Sequence, residues 1–84
     1  MPGLIEPERT VTWLSDEIVT ISVKSLFSGQ VHTMTLPLTK AQWEDWRAGN
    51  YIQRAMPHLL PHEREFIMTG ATEDEWNQEF KDPT

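Results

Sequence analysis

Between residues 18 and 38 apolar and polar side chains alternate in two runs, Val19, Ile21 and Val23 in the first and Met34, Leu36 and Leu38 in the second. A period of two marks strands with one buried face, and Ser28-Gly29 between the runs supplies a tight turn. With Phe27 opposite Gln30 across a two-residue loop, the buried pairs become Val23–Met34, Ile21–Leu36 and Val19–Leu38. The opposite face then carries Lys24–Thr33 and Ser22–Thr35. A slip of one residue would send the apolar set to solvent. In this register Pro37 faces Thr20, and its missing N–H makes the second strand a sheet edge near that point. Thr10-Val11-Thr12-Trp13 is a candidate third strand, pairing with residues 18–25 through a turn at Ser15-Asp16.

The period lengthens after Leu38. Thr39 and Gln42 form a capping box, flanked by the staple positions Leu38 and Trp43, so a helix starts there and stops at Gly49. Trp43 and Trp46 share its face. Asn50 is placed to cap a second short helix with Ile52, Ala55 and Met56 inward, ended by Pro57. Pro61 suits the first turn of a third, with Phe66 and Ile67 buried and Gly70 as its stop, although Leu60 is a poor cap. Thr72 and Glu75 form a second capping box, opening a fourth helix whose stripe is Trp76 and Phe80. The fold class is therefore α+β: an N-terminal antiparallel β-hairpin, extended to three strands if residues 10–13 join it, packed by three to four short C-terminal α-helices. Residues 1–9, with Pro2, Gly3 and Pro7, read as a flexible arm, 10–80 as a single domain and 81–84 as a frayed end.

Composition narrows the function classes. A chain of 84 residues makes one small domain, with a stability of roughly 4–13 kcal/mol. Its four tryptophans are the natural anchors of so small a core. Without cysteine there is neither a disulfide framework nor a thiolate metal site. No basic leader with a long apolar run and no membrane-length stretch occurs, so a cytoplasmic location is expected. The net charge of −6 opposes direct nucleic-acid binding, and the acids Glu73, Asp74, Glu75 and Glu79 concentrate it on the fourth helix, where a solvated face is the simplest account.

Catalytic patterns are weak. His58 and His62 with Glu63, and His32 elsewhere, are residue types that bind zinc, but Pro61 interrupts any helix carrying both of the close histidines. No serine lies in a Gly-x-Ser-x-Gly elbow, and the glycines at 3, 29, 49 and 70 are isolated, so nucleophile-elbow and phosphate-loop chemistry are excluded. Residues 61–80 can be drawn as a helix-turn-helix, yet its second helix would present carboxylates to phosphates. The reading is a non-enzyme with no cofactor and no metal.

From Thr39 onward the chain resembles a group of short uncharacterised proteins from bacteriophages and prophages. The resemblance rests on Trp46-Arg47-Ala48-Gly49, Ile52-Gln53-Arg54-Ala55-Met56-Pro57, Glu63-Arg64-Glu65-Phe66-Ile67-Met68-Thr69-Gly70, Trp76 and Phe80, about half of the chain. Pro61 stands where a Ser or Thr cap would suit the Arg-Glu-Phe helix. The resemblance carries no known activity and implies an origin only. Most of its positions are core anchors or helix stops. Gln53, Arg54, Arg64 and Glu65 are the candidate partner-binding set, with an ion pair from Arg64 to the acidic fourth helix as the structural alternative. The leading expectation is a small phage-type accessory protein, monomeric or homodimeric, that binds a host or phage protein in the host cytoplasm without catalysis. The alternative is an acidic inhibitor that imitates nucleic acid toward a host defence enzyme, using Glu73, Asp74, Glu75 and Glu79.

Overall fold

A computed structural model describes residues 6–79. The strands β1 (Arg9–Ser15), β2 (Ile18–Lys24) and β3 (Val31–Leu36) precede the helices α1 (Lys40–Arg47), α2 (Ile52–Ala55), α3 (Pro61–Thr69) and α4 (Glu73–Glu79). The α+β class, the third strand and the order of elements agree with the hydrophobic pattern. The positions 1–5 of the expected arm, Phe80 of the α4 stripe and the end 81–84 lie outside the described residues.

The sheet is antiparallel throughout, with order β1-β2-β3, so β3 is an edge strand as Pro37 implies. The predicted register is corrected by two residues: Val23 faces His32, Ile21 faces Met34 and Val19 faces Leu36. The reason lies in the connection. Ser25 N–H bonds Gln30 O at 2.8 Å and Gly29 N–H bonds Ser25 O at 2.9 Å, closing a four-residue loop over 26–29 instead of a two-residue turn. Gly29 takes φ +76° there. A two-residue shift leaves each side chain on its own face, so Val19, Ile21, Val23 and Leu36 remain buried. Leu38, just beyond the strand, is buried with them.

Ser22 lies opposite Thr33 and Thr20 opposite Thr35, the non-hydrogen-bonded positions at which facing side chains come closest. Their hydroxyls meet at 2.7 and 2.9 Å respectively. Thr10 and Thr12 continue these rows on β1, which makes the outer face a lattice of small hydroxyl side chains. β1 and β2 are joined by a turn at Asp16 and Glu17, one residue later than predicted, and the pairing shifts between Trp13 and Ser15, placing a bulge at Leu14.

The helices close the inner face. Thr39 and Gln42 form the capping box at both of its bonds, 3.1 Å each. Trp43 and Trp46 pack edge to face, ring centroids 5.3 Å apart, against the buried cluster. The Trp46 ring is approached by the guanidinium groups of Arg9 and Arg47, each 5.1 Å from its centroid. Glu6 accepts hydrogen bonds from Arg47 at 2.7 Å and Arg9 at 2.9 Å. These contacts, Arg47 foremost, hold the Glu6 carboxyl down at about 2. Arg9 also donates to the Ile67 and Met68 carbonyls at 2.8 and 3.1 Å. Residues 6–9 are thus fastened to both α1 and the end of α3.

α2 is one turn, with Ile52, Ala55 and Met56 buried as expected. Its predicted cap is corrected: Tyr51 holds the cap position without a side-chain bond, while Asn50 joins the Tyr51 N–H to Asp45. At α3 the Leu60 N–H is satisfied by Glu63 Oε1 at 2.8 Å, so this helix start is held by the acidic half of a capping box. Phe66 and Ile67 are fully buried. Gly70 ends α3 at φ +78°, and a Cβ there would stand 2.8 Å from the Lys24 and Ser25 backbone. Beside it Leu26 N–H bonds Thr69 O at 2.8 Å. The end of α3 is therefore laid directly on the end of β2. Among the described residues no helix is long and apolar enough to cross a membrane.

Candidate functional site

Three features of the helical half bring chemistry-bearing side chains together. The first is a polar cluster centred on Glu75. Its Oε1 accepts from Ser25 Oγ at 2.7 Å, and its Oε2 accepts from Ser28 Oγ at 2.6 Å and His32 Nε2 at 2.7 Å. Ser25 is 3% exposed, and its hydroxyl oxygen also accepts the Phe27 and Ser28 N–H groups, which organises the β2–β3 loop. The Ser28 hydroxyl is the main reason that the Glu75 carboxyl falls to about 2, assisted by His32 and Ser25 against the opposing effect of burial. The Thr72–Glu75 capping box is therefore only half formed: Thr72 Oγ1 accepts the Glu75 N–H at 3.1 Å, while the Glu75 side chain reaches the loop instead.

Serine, histidine and a carboxylate in contact invite comparison with a hydrolytic triad, but the bonds run differently. In such a triad the imidazole accepts the serine proton. Here the ionised carboxylate is the common acceptor, with both hydroxyls and the His32 Nε2–H donating to it. The cluster is a fastening between α4 and the hairpin loop. Replacing Glu75 with alanine is expected to cost about 1–3 kcal/mol near neutral pH. Because folding lowers the Glu75 pKa from 4.5 to about 2, its contribution is complete above 4.5 and is lost as pH falls toward 2. Urea unfolding of wild type and Glu75→Ala should therefore show two midpoints that converge over this acidic window.

The second feature is a groove of about 360 Å³ between α2 and α3, lined by Ile52, Gln53, Pro61, Arg64, Glu65 and Met68. Three of the four sequence-derived partner residues border it. The fourth, Arg54, is exposed and lies 5.8 Å from the centroid of the exposed Tyr51 ring. Leu60 and Met68 add apolar surface at 55% and 37% exposure. The suggested ion pair from Arg64 to α4 is corrected: Arg64 Nη1 donates to the Leu59 and Met56 carbonyls at 2.8 and 3.3 Å, clamping the α2–α3 connection.

The third is a cleft of about 420 Å³ between α3 and α4, whose walls include His62, Glu65, Thr72, Glu73, Trp76 and Asn77. Glu73 lies 3.3 Å from His62 Nδ1. The acidic set proposed for mimicry is thus divided. Glu73 and Asp74 are exposed, Glu75 is turned toward the hairpin loop and position 79 closes α4.

The histidines are separated in the same way. His32 engages Glu75, His62 engages Glu73 and His58 Nε2 meets the Pro37 carbonyl. Among the described residues no group of three His, Cys, Asp or Glu side chains is placed to hold a metal ion. The fastening at Glu75 and the Arg64 clamp escaped sequence reading because each joins residues with no shared periodicity. No family model, curated protein or solved structure matches the chain.

Proposed function

We propose that the protein is a small accessory protein of the phage type that works by binding another protein, without turnover, through the surface formed by α2 and α3. The observation that carries this reading is the groove between those helices. It combines apolar side chains with Gln53, Arg64 and Glu65, and it is flanked by the exposed Tyr51–Arg54 stack. Aromatic and arginine side chains on a rigid frame are what protein interfaces use as anchors, and the Arg64 clamp gives this frame its rigidity. The Ser-His-Glu cluster supports binding over catalysis, because its hydroxyls are committed to Glu75. The phage assignment rests on the motif resemblance alone.

The test is affinity capture from a bacterial host, with and without phage infection, comparing wild type with the triple variant Gln53→Ala, Arg54→Ala, Glu65→Ala. A polypeptide retained by the wild type and lost by the variant, whose circular dichroism and unfolding midpoint are unchanged, is the expected result. Equal retention by both would dismiss this surface, and absence of any specific polypeptide would dismiss the binding function.

A further inference from the structure

Two guanidinium groups converge on one ring and one carboxylate where β1, α1 and the end of α3 meet. Arg9 and Arg47 each stand 5.1 Å from the Trp46 ring centroid. Glu6 Oε1 accepts from the Nη1 atoms of both, at 2.9 and 2.7 Å, and its Oε2 lies 3.4 Å from Arg47 Nη2. Arg47 thus grips the carboxylate as a fork, and Arg9 adds a further bond. The Arg9 side chain is only 11% exposed, and its Nε and Nη2 donate to the Ile67 and Met68 carbonyls. Placing a second cation beside so buried a guanidinium is unfavourable unless an anion lies between them.

The anion in place is not what holds its own segment. Pro7 is buried, Lys24 N–H bonds Glu8 O at 3.0 Å, and Arg9 is bound by the two α3 carbonyls, all independently of Glu6. The Glu6 side chain is 54% exposed, so it can turn outward while residues 7–9 stay. We propose that Arg9, Arg47 and Trp46 form a receptor for an acidic side chain of the partner protein, and that Glu6 is the internal ligand which that side chain displaces. A carboxylate suits the site better than a tetrahedral anion, because the bonds already present use both oxygens of a planar group. The position suits it too: Arg9 Nη2 binds the carbonyl of Met68, a residue that lines the α2–α3 groove. A polypeptide seated in that groove presents its own acid at high effective concentration, which a free acid lacks. A partner without an acid there leaves Glu6 in place, so the receptor contributes selectivity more than affinity. The inference rests on the protein-binding reading only for the source of the carboxylate.

The experiment is an NMR titration of the full chain that follows the Arg9 and Arg47 Nε–H signals and the Trp46 indole N–H. Wild type is compared with Glu6→Gln and with the double variant Glu6→Gln, Arg47→Gln. The probe is acetyl-glutamate amide, with acetyl-glutamine amide as the neutral isostere and sodium perchlorate at matched ionic strength as a tetrahedral anion. Glu6→Gln should fold and bind acetyl-glutamate amide roughly tenfold more tightly than wild type, since the competing carboxylate is gone. The response should vanish in the double variant and be absent with acetyl-glutamine amide. Equal affinity in wild type and Glu6→Gln, an undiminished response in the double variant, or an equal response to acetyl-glutamine amide or perchlorate would each overturn the assignment. So would a Glu6→Gln chain that does not fold, because Glu6 would then be a structural member and not an exchangeable ligand. The titration uses no partner, so a positive result with no captured polypeptide would count against the binding function and not the receptor. A captured polypeptide with a negative titration would do the reverse.

Discussion

Gly70→Ala is expected to destabilise the fold by about 2–5 kcal/mol, the sum of a left-handed backbone penalty of about 1–2 kcal/mol and a steric cost of about 1–3 kcal/mol. The first part follows from φ +78°, which an L side chain rarely adopts. The second follows from the 2.8 Å approach of the new Cβ to the Lys24 and Ser25 backbone. Backbone atoms in a strand end cannot rotate aside as a flexible side chain would. Relief requires α3 to lift from β2, which would lengthen the Leu26–Thr69 hydrogen bond and draw the Thr72–Glu75 segment from the hairpin loop. Against a total of roughly 4–13 kcal/mol, the loss is large. Urea unfolding followed by tryptophan fluorescence should show a much lower midpoint. Gly49→Ala is the informative control: its φ is also positive, at +117°, but its Cβ would meet no atom within 4 Å. A similar loss at both positions would mean that backbone conformation, and not the contact with β2, sets the requirement at Gly70.

Phe66→Ala carries the second large effect, about 3–5 kcal/mol. Phe66 is completely buried and belongs to the cluster that joins α3 to Val19, Ile21 and Val23 of β2. Removing the ring deletes the apolar area and leaves a cavity that a small core cannot fill, because the surrounding side chains extend from a sheet with fixed register. Phe66→Leu should lose much less, since most of the volume is kept. Denaturant midpoints should fall in the order wild type, Leu, Ala. A loss below about 1 kcal/mol for alanine would be typical of a surface site and would contradict the placement of α3.

The contrast between what the sequence announced and what it concealed follows from range. Alternation at Val19, Ile21, Val23, Met34, Leu36 and Leu38 names the buried face because a period of two is local. It does not distinguish registers two residues apart, since both leave the same residues inside. The choice was made by Ser25, whose hydroxyl gathers the Phe27 and Ser28 N–H groups and favours the longer loop. The capping box at Thr39 and Gln42 was legible because both bonds lie within one turn. The same motif at Thr72 and Glu75 misled because three donors from the hairpin, more than forty residues earlier in sequence, take the carboxylate that would have turned back to the helix.

The candidate surfaces show the same division. Gln53, Arg64 and Glu65 are unusual enough as polar residues on short helices to be singled out, and all three border one groove. The role of Arg64 was hidden, since its acceptors, the Met56 and Leu59 backbone carbonyls of the α2–α3 connection, carry no sequence signature. The cleft was hidden too, as it exists only where Gly70 turns α4 back alongside α3.

The binding account is tested most directly by site-specific photocrosslinking in living host cells, with p-benzoylphenylalanine placed at position 68 in the α2–α3 groove or at position 35 on the hydroxyl face of the sheet. A discrete covalent adduct with another polypeptide from position 68, and none from position 35, is the predicted result. An adduct from position 35 alone, or none from either position in cells with and without phage infection, would contradict it.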